Sequence, residues 1–97
     1  MIQTTHRDVV LSYFKGKKEI VFKLRAGDPL KLDGVYIATE RGVRVAKMSK
    51  AFMETLEKLR AKGYYPKSAE VRFVVAWKDE EDTEETPIIL ADMYFVK

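Results

Sequence analysis

SKAFMETLEKLRAKG, residues 49–63, decides how the rest of the chain is read. Ser49 suits an N-cap, because its short side-chain oxygen can accept a free N–H of the first turn. Phe52, Leu56 and Leu59 recur at i, i+4 and i+7, with Met53 beside them. That spacing lays one apolar stripe along a helix. Glu54 precedes Lys58 by four residues, the favourable order for an ion pair. Lys58, Arg60 and Lys62 suit the negative end of the helix dipole. Gly63 supplies the left-handed stop, with Pro66 three residues on. An amphipathic helix over Ser49–Lys62 follows, and its stripe needs a surface to cover.

The flanking sequence supplies that surface as strands. Upstream, Val35–Thr39 and Val43–Met48 are short apolar runs around Glu40-Arg41-Gly42, the pattern of a hairpin with a glycine bulge. Alternation sets Tyr36 and Arg44 on the faces opposite Val35, Ile37, Val43 and Val45. Further upstream, Val9–Phe14 (VVLSYF) and Ile20–Arg25 (IVFKLR) read as a second hairpin around Lys15-Gly16-Lys17-Lys18. Downstream, Ala69–Lys78 places Val71, Phe73, Val75 and Trp77 on one face, and Thr86–Lys97 is a last strand with Pro87 at its start. The expected fold is a single α+β domain over residues 1–97. It is an antiparallel sheet of about six strands, in chain order β-β-β-β-α-β-β, with the helix packed on one face. Residues 1–8 read as a flexible terminus.

Composition narrows the function. The 97 residues carry 46% apolar and 34% charged side chains, which is globular composition. No apolar run approaches the length of a membrane span, and the first residues lack the core of a signal peptide, so a cytoplasmic protein with no membrane partner is the expectation. The absence of cysteine removes disulfides, thiolate metal sites and cysteine nucleophiles. Gln3 is the only side-chain amide, and Lys, Glu and Arg are abundant, a hyperthermophile's balance. His6, the only histidine, has no companion for a triad or a metal, and the glycines fit no phosphate-binding loop. A non-catalytic protein without metal or small-molecule cofactor is expected. The carboxylates of the loop 79–85 (DEEDTEE) lack the spacing of a calcium loop.

Charge is divided unevenly. Residues 1–67 hold 15 Lys and Arg against 7 Asp and Glu, and residues 68–97 hold 3 against 8. The basic part contains Lys17 and Lys18 at a turn, Lys23 and Arg25 on one strand face, and Arg41 and Arg44 on the second hairpin beside Tyr36. Cations neutralise phosphates and a ring stacks on bases, so these seven residues form the candidate site of a module that binds RNA or single-stranded DNA. The alternative is an assembly module. Strand 86–97 is apolar on both faces and so needs two covers, one of which a second copy would provide in a homodimer. The acidic loop 79–85 would then serve as a docking arm. The strands of residues 9–48, Gly42-Val43-Arg44-Val45 and the helix bearing Phe52, Leu56 and Leu59 together resemble the end of a family of single-stranded-DNA-binding transcriptional coactivators. The longer gap from Val45 to Phe52 and the hairpin 69–97 depart from that family's pattern.

Overall fold

A computed structural model describes residues 1–78 and 84–97. It contains one curled antiparallel sheet of six strands: β1 (Ile2–Gln3), β2 (Pro29–Asp33), β3 (Tyr36–Thr39), β4 (Arg44–Lys47), β5 (Tyr65–Trp77) and β6 (Thr86–Val96). Their spatial order is β1-β6-β5-β2-β3-β4. Two helices accompany the sheet, α1 (Lys18–Phe22) and α2 (Lys50–Ala61), and a 3-10 helix spans Leu11–Gly16. Strands and long helix follow the expected order β-β-β-β-α-β-β, but two of the strands lie elsewhere in the sequence.

Residues 9–25 correct the sequence reading. Val9–Phe14 and Ile20–Arg25 are not a hairpin; they are mostly helical. Short apolar runs do not distinguish strand from helix by periodicity alone. Leu11 and Phe14 stand at i, i+3, the 3-10 repeat, and Phe14 is fully buried. Val21 and Leu24 likewise share a helical face, with Val21 fully buried and Leu24 packed against the core. Strand alternation would have turned Phe22 inward, yet it is 69% exposed. The missing strands are β1 and β2. In β2, Leu30 and Leu32 alternate behind Pro29, which tolerates the first position of a strand. The four-strand meander of the coactivator resemblance is therefore absent. Residues 1–8 are not free either. Ile2 pairs with Met93 and Gln3 with Asp92, and Thr4 is buried with its hydroxyl accepting from Ala91 N at 2.8 Å.

The helix α2 is as read. Ser49 Oγ accepts from Phe52 N at 3.2 Å, and Gly63 takes φ +89° just past the end. Phe52 is buried, with Met53 and Leu56 packed on the same cluster. The β3–β4 hairpin turns at Glu40-Arg41-Gly42, where Gly42 adopts φ +87° and donates to Thr39 O at 2.9 Å. The β5–β6 hairpin departs from simple alternation. Val71 pairs with Ala91 but Phe73 pairs with Leu90, so Arg72 is an extra residue in the ladder. Val71 therefore faces the core with Ala69, Ala91 and Met93, while Phe73, Val75 and Trp77 lie on the opposite face with Leu90 and Ile88. The expectation of one shared face fails at this bulge.

The 3-10 helix contacts both β4 and β6, and α1 contacts β6. Three strands separate β4 from β6, so the helical segment crosses the hollow of the curled sheet. Phe14 and Val21 fill that hollow together with Ile37, Val45, Ile89 and Met93. No helix among the described residues is long and apolar enough to cross a membrane. Phe14→Ala should destabilise the fold by about 3–5 kcal/mol in urea unfolding. Phe22→Ala should stay within about 0.5 kcal/mol, as exposed substitutions do. An equal loss at both positions would restore the strand reading. Ser49→Ala should cost about 1 kcal/mol.

Candidate nucleic-acid interface

The helical segment places side chains on the rim of the sheet it fills. With Phe14 held inward, Tyr13 is directed to the border of β3, where its ring centroid lies 5.6 Å from that of Tyr36 at an interplanar angle of 46°. The Arg44 guanidinium covers Tyr36 at 4.3 Å, and Lys17 Nζ sits 5.7 Å from the Tyr13 ring. These are cation–π distances. Lys17, Tyr13, Tyr36 and Arg44 thus form one continuous row of cations and rings. Arg44 Nε also donates to Asp33 Oδ2 at 3.1 Å. That bond and the charge of Asp33 hold the Arg44 guanidinium more firmly protonated than usual. Lys47 stands opposite Tyr36 in the strand register.

The seven residues expected from sequence divide into three groups. Lys17, Tyr36 and Arg44 belong to the row. Lys23 and Arg41 line a separate cleft of about 520 Å³ between α1 and the β3–β4 turn, walled by Ile20, Leu24 and Val43. Lys18 is drawn away by Glu84, at 3.1 Å. Arg25 belongs to a turn in which its N–H donates to Asp28 Oδ2 at 2.8 Å. Among the described residues Lys17, Lys23, Arg25 and Arg41 make no ion pair. Tyr13 is the site residue that sequence reading missed. Its only signal was an aromatic next to a cation run, and it was hidden by assigning VVLSYF to a strand. Asp28 and Glu40 also line the cleft, so its rim carries both signs of charge.

A second polar group lies on the open face of β5 and β6. Arg72 donates to Thr4 O at 2.7 Å and pairs with Asp92 at 3.5 Å, with side chains 22% and 15% exposed. This group anchors β1 to the sheet. Beside it the Tyr94 hydroxyl donates to Glu70 Oε1 at 3.1 Å. Of the acidic loop 79–85, residues 79–83 lie outside the described residues; Glu84 and Glu85 are exposed. No group of three or more His, Cys, Asp and Glu among the described residues is placed to hold a metal ion. Neither a family model, nor a curated protein, nor a solved structure matches the chain.

The bond to Glu70 favours the protonated phenol and raises the Tyr94 pKa above its ordinary value. Its contribution to stability is therefore complete below the unfolded value of about 10 and is lost as pH rises through the folded one. Phenolate absorbance titrations of wild type and Tyr94→Phe should differ by one component with a midpoint above about 10. A missing component at or below that value would count against the bond.

Proposed function

We propose that this chain is a small non-catalytic module that binds nucleic acid, RNA or single-stranded DNA, in the cytoplasm of a thermophile. The row Lys17–Tyr13–Tyr36–Arg44 carries the reading. Base stacking on aromatic rings and guanidinium planes, flanked by cations for the backbone, is how single strands are held without sequence preference. The excess of basic residues in the first two thirds of the chain supports the same reading, because it supplies long-range attraction for a polyanion.

Fluorescence anisotropy with labelled single strands should show binding that weakens steeply with salt. With Lys17, Lys23 and Arg41 engaged, log K against log salt should slope at about −2. Tyr36→Leu should weaken binding by about 1–3 kcal/mol, the worth of one stacked base. No binding at low salt to single strands, duplex and structured RNA alike would refute the proposal.

A second reading, assembly with another copy, rests on a different observation from the one that suggested it. Ile88 and Ile89 on opposite faces of β6 are both buried within the chain, and β6 lies between β1 and β5. One unpaired edge among the described residues is the β5 segment from Phe73 to Trp77, where β2 no longer pairs, with Phe73 43% exposed. Apolar strand edges of this kind recruit further strands. Under this reading sedimentation velocity should show a dimer that Val74→Pro dissolves, and a monomer at high concentration would exclude it.

A further inference from the structure

The cleft between α1 and the β3–β4 turn is the second feature that the basic residues frame, and the row of rings does not use it. Its walls are Ile20, Leu24, Pro29 and Val43, and its rim holds Lys23, Arg41, Glu40 and Asp28, the last already accepting from Arg25 N at 2.8 Å. Val43 is 41% exposed, so the wall is accessible from solvent. Among the described residues Lys23, Arg41 and Glu40 make no hydrogen bond or ion pair through their side chains. Three charged groups of both signs are thus left unmatched around an apolar opening.

Apolar walls suit the faces of a flat ring. Two cations at the mouth suit the phosphates on either side of it. A free carboxylate is an acceptor only, so it selects a ring edge that donates. Exocyclic amino groups donate, and Glu is a natural acceptor for the N4 amino group of cytosine. We infer that this cleft receives one unstacked nucleobase bearing an exocyclic amino group, from a single strand whose neighbouring bases stack on Tyr13 and Tyr36. This rests on the nucleic-acid reading above and adds to it a base preference and a requirement for a single strand.

The two places are joined by the β3–β4 hairpin. Tyr36 lies opposite Lys47 at the end far from the turn, Thr39 and Arg41 lie at the turn, and Arg44, opposite Ala38, reaches back over the Tyr36 ring. Three strand residues span about 10 Å, which is about three nucleotides at the spacing of a stacked strand. A base in the cleft must leave the stack. Duplex holds its bases in the stack and hides their pairing edges, so it offers the cleft nothing.

The experiment compares oligo(dC) with oligo(dU) of equal length, because cytosine offers Glu40 an exocyclic amino group where uracil has a carbonyl and only its ring N3–H to donate. The full chain is used in anisotropy titrations at low salt. Oligo(dC) should bind about tenfold more tightly than oligo(dU). Glu40→Gln, a change at an exposed turn residue, should bring the two within about twofold while both still bind. Equal affinities in the wild type, with Tyr36→Leu still weakening both, would overturn the cleft assignment and leave the nucleic-acid reading standing. Absence of binding to any oligonucleotide would overturn both. Free cytidine monophosphate should fail to compete at the concentrations where oligo(dC) binds; equal competition would make the cleft a mononucleotide site and overturn its assignment to a strand.

Discussion

Phe14 and Val21, buried across the hollow of a curled sheet, are the contact on which the rest of the molecule depends. A six-stranded antiparallel sheet has two faces and this chain has few helices to cover them. Curling reduces the area to be covered, and the segment from Leu11 to Phe22 then reaches from β4 to β6. Each fully buried large side chain contributes roughly 1.5–3 kcal/mol, so two of them at the centre are a substantial share of a margin of about 5–15 kcal/mol. The bulge at Arg72 serves the same geometry. An extra residue in a long hairpin increases its twist, and it exchanges the faces so that Val71 is buried while Phe73 is not.

The same segment builds the candidate site. Phe14 points inward, and its neighbours Tyr13 and Lys17 are thereby directed to the rim beside Tyr36. Lys23 and the cleft walls Ile20 and Leu24 follow from α1 in the same way. The ring row is therefore placed by core packing, and the cleft by core packing on its α1 side and by the β3–β4 turn, which carries Glu40 and Arg41, on the other. Loosening the plug would blur both together, which ties the stability of the fold to the precision of the surface.

What the sequence disclosed follows from where its signals are local. The helix α2 was legible because the Ser49 cap, the stripe through Phe52 and Leu56, and the Gly63 stop agree. The β3–β4 hairpin was legible because Gly42 marks its turn. Residues 9–25 were not, because VVLSYF and IVFKLR satisfy a strand and a short helix about equally and only the tertiary position of Phe14 decides. Arg72 was not, because no glycine or proline marks that bulge. Of the candidate site, the Tyr36–Arg44 contact followed from strand alternation. Tyr13 did not, since its approach depends on the misread segment, and the pairing of Lys18 with Glu84 was not legible because it joins residues 66 apart in sequence.

Charge pairing assigns different work to the cations. Arg44 is tethered by Asp33 and spread over Tyr36, so a phosphate would have to displace a carboxylate that is already well placed. Its guanidinium plane remains half exposed, and such a plane is itself a stacking surface. Under the proposed function Arg44 would extend the row of rings more than hold backbone. Among the described residues Lys17, Lys23 and Arg41 pair with no carboxylate, and such a cation can follow a strand's phosphates at little cost in lost contacts. Under the proposed function the division is between a fixed surface for stacked bases and movable charge for backbone, with base preference confined to the cleft.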